Sequence, residues 1–412
     1  MSQVRQGKSM VRAALVASVL VGCSHTSPAA HPVPEPPAVS VNPSLLDPGK
    51  YPISPLAPLG DAGSEQAGRL VEGRRMASFV VGPWQADAGL TVSSTEAGVV
   101  ENYSQISRVV WAPIEGGAYN LPFVVGFTSE RQTPGPEPQM SLRNAVLRFA
   151  DPGAASAAAQ GMSGRARDFP RVPSAVPILI EPERVISIPG HADAAGTLLT
   201  FQDGSQTVRE LTTLTAHGSF VLAQVARCAA GPDCEASLTA RTLDLQLPLI
   251  DTFQPTAPEQ FAALPLDPTG LVARTVPLPA DQATSTSAAA YPPPGALHLE
   301  DDPVKAGPAL TAAGVDYVSV NLTTVYQARD PAGAQALSQA LSDAAAATPA
   351  AQAAASVPGL PQSRCTRVPG ASGLVPRYRC LGTAGRYAIK TSARQLDSAH
   401  QQMAAQYRIL VG

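Results

Sequence analysis

The chain has 412 residues and carries 44% hydrophobic side chains, so it is long enough for about two domains, each with its own core. Its 32 acidic residues outnumber its 29 basic ones, and the net charge is -3. Because a mildly acidic chain lacks the basic surface that nucleic-acid binding requires, we expect no nucleic acid as a partner.

The first residues have the pattern of a bacterial export signal. Three basic residues, Arg5, Lys8 and Arg12, precede the apolar run 13–21. This run is too short to span a bilayer, and a charged start before a short apolar core is typical of a signal peptide. Translation could also begin at Met10, since Arg12 would still precede the apolar run.

Directly after this run, residues 20–23 (Leu-Val-Gly-Cys) resemble the lipobox of bacterial lipoproteins. The resemblance implies that residues 1–22 are a lipoprotein signal peptide. It also implies that Cys23 is lipidated with diacylglyceryl and acyl groups, which would anchor the chain to the outer face of the cytoplasmic membrane. A plain secretory signal or a short anchor helix is the alternative. The proline-rich residues 23–43 predict a disordered tether that reaches about 50 Å from the lipid.

A first α+β lobe is expected over residues 44–276. Apolar residues at three- and four-residue spacings predict a helix from Glu65 to Val81, which Gly82-Pro83 ends. Its expected buried face consists of Ala67, Leu70, Val71, Ala77, Val80 and Val81. Strands are predicted over residues 108–111, 121–127, 145–149, 185–188, 197–202 and 220–226. The pair Asp203-Gly204 predicts a tight hairpin.

Two parts of the sequence share the same turn and capping residues in the same order. One strand ends in Asp151-Pro152 and another in Asp330-Pro331, where Asp suits a helix N-cap and Pro the first helical position. Further on, Gly218 and Gly385 each precede an alternating strand. The helices after the Asp-Pro pairs carry one apolar stripe, formed by Ala155, Ala158 and Met162 or by Ala334, Leu337 and Leu341. We therefore predict that an α+β unit is duplicated in the chain.

The second half of the chain begins after residues 277–296, whose Ser, Thr, Ala and Pro composition predicts a linker. Residues 297–412 then form a second, smaller α+β lobe. Its last helix is predicted from the apolar stripe of Leu396, Ala399, Met403, Tyr407 and Leu410.

The expected fold class is α+β, with two related lobes that are each an antiparallel sheet with helices packed on one face. Pockets form preferentially where two rigid units meet. We therefore expect any ligand to lie between the lobes, near Asp151 and Asp330 or near Gly218 and Gly385. A helix amino terminus at such a site would favour an acidic or phosphorylated ligand.

Four cysteines follow Cys23, an even number in a compartment where thiols are usually oxidised. Local pairing of Cys228 with Cys234 and of Cys365 with Cys380 is the simplest of three possible connectivities. Zinc binding is the alternative, but neither pair has the short spacing of a zinc knuckle, and no histidine cluster accompanies them.

Four segments of the mature chain have a distinctive sequence. They are residues 46–52 (Leu-Asp-Pro-Gly-Lys-Tyr-Pro), 74–77 (Arg-Arg-Met-Ala) through Pro83-Trp84, 313–316 (Ala-Gly-Val-Asp) and 405–407 (Ala-Gln-Tyr). They resemble segments of a family of large secreted lipoproteins from mycolic-acid-containing actinobacteria. The resemblance covers nearly all of the mature chain and implies an envelope location and a two-part fold. It supplies no catalytic or binding residues, because the family is uncharacterised.

No motif predicts a catalytic residue. The stretch 370–373 (Gly-Ala-Ser-Gly) is one residue too short for the nucleophile elbow of serine hydrolases. No serine lies three residues before Lys390, so residues 390–392 (Lys-Thr-Ser) do not indicate a penicillin-recognising enzyme. His217 could act as an acid or base but is expected to be a turn residue. His191, His298 and His400 are scattered singly, so we expect no histidine metal site.

Carboxylates and aromatic residues give no stronger signal. Glu181 with Glu183 and Asp301 with Asp302 could serve glycoside chemistry only across a cleft, so we interpret them as solvated charges. The only two tryptophans, Trp84 and Trp111, are expected to pack in the first core.

The leading hypothesis is a non-enzymatic envelope protein that binds a small ligand, a lipid or another envelope protein, without a cofactor. An envelope hydrolase whose site is assembled from scattered residues is the alternative. A transporter's solute receptor is a third hypothesis, although such receptors have parallel sheets and the hairpin signals here favour antiparallel ones.

Overall fold

The computed structural model of the chain describes residues 41–168, 178–229, 231, 233–370 and 375–412. The signal peptide, Cys23 and the tether up to residue 40 lie outside the described residues, so the lipid anchor stays a prediction. None of the described helices has both the length and the apolarity of a membrane span.

The first lobe is built on an antiparallel sheet. Its helices are α1 (Glu65–Met76), α2 (Pro83–Ala86), α3 (Ala112–Glu115), α4 (Pro152–Asp168) and α5 (Cys234–Ile250). Its strands are β1 (Val92–Ser93), β2 (Gly98–Val100), β3 (Phe123–Gln132), β4 (Met140–Phe149), β5 (Leu179–Ile188), β6 (His191–Asp203), β7 (Gln206–His217) and β8 (Phe220–Cys228). The strand order is β1-β3-β4-β8-β7-β6-β5, and β2 also pairs with β3. Asp203 lies opposite Gln206, which confirms the hairpin at Asp203-Gly204.

The second lobe is built on a separate antiparallel sheet. Its strands are β9 (Ala289–Tyr291), β10 (Tyr317–Val320), β11 (Thr324–Gln327), β12 (Gln352–Ala354), β13 (Arg364–Val368), β14 (Arg377–Ala384) and β15 (Tyr387–Ala393). Its helices are α6 (Pro293–Ala296), α7 (Pro303–Ala312), α8 (Pro331–Ala346) and α9 (Leu396–Val411). The strand order is β12-β13-β14-β15-β11-β10-β9. The two lobes confirm the predicted α+β class.

The two sheets share one topology, as the predicted duplication requires. Each lobe contains two strands, a helix, four strands and a helix, and β3-β4-β8-β7-β6-β5 corresponds in order to β10-β11-β15-β14-β13-β12. Asp151 accepts a hydrogen bond from the backbone N–H of Ala154 at 2.8 Å, and Asp330 accepts one from Gly333 at 2.7 Å. Both act as N-caps. The last hairpin of each lobe turns at a glycine with positive φ, 54° at Gly218 and 55° at Gly385.

Helices lie on both faces of each sheet, whereas one covered face was expected. The neighbours Val146 and Leu147 are both fully buried: Val146 belongs to the core that includes α5, and Leu147 to the core that includes α4. In the second sheet, Tyr326 lies in the core that includes α8 and Val325 in the core that includes α9. Both faces are covered because strand segments such as residues 220–223 are apolar at consecutive positions rather than at alternate ones. Consecutive side chains point to opposite faces, so both faces of the sheet are apolar.

Two local predictions for the first lobe were wrong. Residues 108–111 form no strand; a 3₁₀ helix covers Tyr103–Arg108, and α3 starts at Ala112, where Pro113 favours a helix start. Helix α1 ends at Met76, and its buried residues are Gly68, Glu72, Gly73 and Met76. Of the predicted apolar stripe, Ala77, Val80 and Val81 are buried, but they follow the helix. A Cβ on Gly73 would overlap Val99, so the glycines let this helix approach the sheet closely.

The lobes meet through buried side chains. Arg131 of β3 is only 1% exposed and donates to the carbonyls of Thr91, His298, Glu300 and Asp301 at 2.6–3.1 Å. One apolar cluster contains core residues of both lobes. These contacts fill this part of the junction, and a ligand elsewhere between the lobes stays a prediction. Residues 289–296 of the expected linker contain β9 and α6, and the lobe boundaries stay a prediction.

Candidate functional site

A cavity of about 690 Å³ lies over the first sheet, on the face that packs against α4. Its floor consists of strands β3, β4, β7 and β8, and residues around 107–112 cover it. The lining combines charges of both signs with hydroxyl groups, valines and one tryptophan. It consists of Thr95, Glu96, Gly98, Val99, Ser107, Arg108, Val110, Trp111, Ala112, Thr128, Glu130, Ser141, Arg143, Glu210, Val225 and Arg227.

One arginine–glutamate pair lines the side formed by β3 and β4. Glu130 lies directly opposite Arg143 across these strands. Both Nε and Nη2 of Arg143 donate to Oε2 of Glu130, at 3.0 and 2.6 Å, and Nη1 donates to the Val109 carbonyl at 3.0 Å. The Thr95 hydroxyl donates to the same carboxylate at 2.7 Å. Arg143 therefore also fixes the covering segment to the sheet.

A second pair lines the side formed by β7 and β8. Glu210 lies opposite Arg227, and Nε of Arg227 donates to Oε2 of Glu210. The other carboxylate oxygen of Glu210 accepts from the indole N–H of Trp111 at 2.8 Å. The guanidinium of Arg227 lies 5.9 Å from the centre of the Trp111 ring. Glu210 thus fixes an arginine and a tryptophan side by side at the cavity wall.

This arrangement favours binding over acid–base chemistry. Glu130 and Glu210 lie on strands separated by β4 and β8, about 14 Å apart at the usual strand spacing, which is too far for a glycosidase pair. Burial alone would raise the pKa of Glu130, but Arg143 and Thr95 outweigh burial and lower this pKa. Glu130 therefore stays ionised and holds no proton to donate.

Sequence reasoning did not find these pairs. Trp111, which is expected to pack in the first core, does pack against a core cluster of the first lobe, but it is half-buried and also lines the cavity. Trp84 is buried at the lobe junction, 5.0 Å from the His298 ring. The available signal was an arginine inside each of two apolar runs, Arg143 in β4 and Arg227 in β8. Only the strand register shows that each faces a glutamate.

The histidines considered in the sequence lie elsewhere. His217 ends β7 and contacts the carboxylate of Asp251 at 2.6 Å, close to the end of α5. A histidine beside a helix carboxyl terminus is a favourable structural contact. His191 makes a similar contact with Asp244 at 3.0 Å. None of these residues lines the cavity.

Four other charged residues considered in the sequence each contact a different partner. Asp302 caps α7 through the N–H of Lys305, whereas Asp301 accepts from Arg379. Glu181 contacts Thr200, and Lys390 donates to Glu300 at 2.7 Å. The serine of the 370–373 stretch lies outside the described residues.

Both local cysteine pairs are bonded, Cys228 with Cys234 and Cys365 with Cys380. The ring of His400 lies within 4.8 Å of the Cys365 and Cys380 sulfurs, which is the one metal-type cluster among the described residues. These sulfurs offer no thiolate, because they are bonded to each other. Disulfides persist in oxidising compartments, so the two bonds indicate an extracytoplasmic location.

The sequence matches one protein family over both lobes. Residues 59–266 match the N-terminal part of the family described as Domain of unknown function (DUF7373), and residues 271–412 match its C-terminal part. No curated protein matches the chain.

Among solved structures, the extracellular domain of PknH from Mycobacterium tuberculosis is similar at 11% identity. The match covers 43% of this chain and 96% of that one, with a TM-score of 0.29, which is too low to support an argument. The family matches together span most of the chain, which therefore belongs to the DUF7373 family.

Proposed function

We propose that this chain is a lipid-anchored envelope protein whose first lobe binds a hydroxyl-rich small molecule, such as a saccharide, without transforming it. The proposal is based on one observation: two arginine–glutamate pairs and Trp111 line the same cavity. Arginine donates hydrogen bonds and carboxylate accepts them, so adjacent ligand hydroxyls would find both partners. The face of an aromatic ring suits the apolar side of a sugar ring.

The hydrolase hypothesis has less support at this cavity. Each glutamate is held by an arginine, and Glu130 is kept ionised. Hydrolysis of a glycoside needs a protonated carboxyl group near a second carboxylate. A ligand held by such fixed charges would be oriented but would lack a proton donor.

Tryptophan fluorescence offers a direct test of ligand binding. Trp84 is buried and Trp111 lines the cavity, so a Trp84→Phe variant of the chain from residue 24 would report on Trp111 alone. We expect titration with saccharides to shift its emission, and Arg227→Met to abolish the shift. Arg241→Met is the matched control, because Arg241 forms an exposed ion pair with Asp87 in the same lobe.

Three outcomes would contradict the saccharide-binding proposal. If no saccharide changes Trp111 emission, or if the Arg227 and Arg241 variants respond alike, the cavity is not a saccharide site. If proton NMR of the mixture shows new products whose formation Glu130→Gln abolishes, the chain is a hydrolase instead.

The anchor is proposed separately, from the lipobox resemblance at Cys23. In an actinobacterial host fed an alkyne-labelled fatty acid, the wild-type chain should incorporate the label and Cys23→Ala should not. Absence of label in the wild-type chain would contradict the anchor.

A further inference from the structure

A second cavity, of about 770 Å³, lies in the second lobe where β15 leads into α9. Three cationic side chains line it, Lys50, Arg377 and Arg394, and no carboxylate does.

The arginines of this cavity occupy the positions of the Glu210–Arg227 pair in the duplicated lobe. Glu210 and Arg227 each lie seven residues from the ends of the Gly218 hairpin, His217 and Phe220. Counting the same distance from the ends of the Gly385 hairpin, Ala384 and Tyr387, leads to Arg377 and Arg394. An arginine therefore stands where the first lobe has a glutamate, and continuing the register one step past Tyr378 and Ala393 places the two arginines opposite each other. Like charges placed directly opposite are destabilising.

These cations lack anionic partners among the described residues. Arg377 donates through Nε to the Ser392 hydroxyl at 3.1 Å, which leaves both Nη groups available. Lys50 and Arg394 form no ion pair with a described residue. An anion between the arginines would remove their repulsion and accept several charge-assisted hydrogen bonds.

Helix α9 and a buried amide complete the site. Gln395 is the N-cap of α9, but its side chain caps no backbone N–H, so N–H groups of the first turn remain for an anion. Gln402 lines the cavity at 4% exposure, and its unpartnered Oε1 is an acceptor that suits a hydroxyl group of the ligand rather than the phosphate itself. Its amide nitrogen reaches only the Tyr51 hydroxyl, at 3.4 Å. Asp397, also in the first turn, is exposed and does not line the cavity.

We propose that this second-lobe cavity binds a phosphate group, carried either by an anionic phospholipid or by a soluble phosphate ester. A phosphate monoester offers close to two negative charges and three acceptor oxygens, and the phosphodiester of a phospholipid offers one charge and two such oxygens. Both match two guanidinium groups, a lysine and a helix amino terminus. The site is independent of the saccharide cavity in the first lobe.

The test uses the chain from residue 24 with two probes. Binding of glycerol 3-phosphate is measured by calorimetry, and binding to vesicles is measured by co-sedimentation, with phosphatidylcholine alone or mixed with phosphatidylglycerol. Glycerol 3-phosphate should bind, and Arg377→Gln with Arg394→Gln should weaken binding about tenfold or more, since each lost charge-assisted contact contributes a large share of affinity. If phosphatidylglycerol vesicles also bind and glycerol 3-phosphate competes, the source is a lipid headgroup. Binding of the soluble ester alone identifies a soluble source.

Two further variants keep the proposal falsifiable. Arg329→Gln with Arg364→Gln removes the same charge from exposed ion pairs of the same lobe and should leave binding unchanged. Arg377→Glu recreates the pair of the first lobe, so it should abolish phosphate binding while the folded state becomes more stable. The proposal is overturned if neither probe binds, if the two double variants weaken binding equally, or if Arg377→Glu binds like wild type.

Discussion

The last hairpins of the two lobes have the same strand pairing and glycine turn, but they carry different charged side chains at their open ends. In the first lobe the strands continue past the Glu210–Arg227 pair, so the pair lies inside the sheet and is partly buried. In the second lobe β14 begins at Arg377 and β15 ends at Ala393, so the two arginines lie at the sheet margin. Apolar faces and glycine turns fix the register of both hairpins, while side chains at the strand ends are free to differ. The two lobes therefore share the backbone arrangement of this hairpin and differ in the charged side chains at its strand ends.

The largest effect is expected where the two lobes join. Arg131→Met would leave four carbonyl acceptors at the junction without their donor, two of them in buried hydrogen bonds, and we expect the free energy of unfolding to fall by at least about 3 kcal/mol. Urea denaturation measures this loss, and Arg241→Met, on the surface of the first lobe, is the control. A loss below about 1 kcal/mol would mean that other junction contacts hold the lobes together.

The junction should also respond to pH through His298. Burial, opposed by the hydrogen bond to the Val80 carbonyl and assisted by Arg131, lowers the pKa of His298 from 6.5 to about 4. Between these values the unfolded chain binds a proton that the folded chain does not. The free energy of unfolding therefore keeps the full contribution of His298 above pH 6.5 and falls by about 3 kcal/mol as the pH drops towards 4. His298→Gln should flatten this slope in urea titrations at several pH values; an unchanged slope would assign it to other groups.

The disulfides should stabilise the two lobes unequally. Under the loop-entropy model, losing Cys365–Cys380, with a sequence separation of 15, costs about 3 kcal/mol. Losing Cys228–Cys234, with a separation of 6, costs about 2 kcal/mol. Paired serine variants compared by thermal unfolding measure both losses. The reverse order would show that local packing outweighs loop length.

The smallest effects test the hairpin comparison itself and should have opposite signs. Glu210→Gln removes the charge that holds Arg227 and should destabilise the chain by about 1–2 kcal/mol. Arg377→Glu supplies the missing charge and should stabilise it by about 0.5–1 kcal/mol. Both are measured by urea denaturation at low phosphate concentration. Changes of the same sign would mean that the two positions are not equivalent.

The sequence by itself predicted the features that depend on local rules. The Asp caps at residues 151 and 330, the glycine turns at 218 and 385 and the stripe of α9 follow from backbone preferences and helical spacing, and they were sufficient to identify the duplication. The Asp203-Gly204 hairpin was predicted for the same reason. Each of these signals is contained in a few neighbouring residues.

Only the tertiary structure decided which residues distant in sequence are in contact. The burial of α1 depends on residues outside the helix, Phe261 against Gly68 and Val99 of the sheet against Gly73, and the helix cover on both sheet faces is likewise a long-range property. The partners of Arg143, Arg227 and Arg131 are between 13 and 170 residues away, so no local pattern marks them. The two cavities arise for the same reason, because strand register, which is a long-range property, sets which charges meet and which remain unpaired.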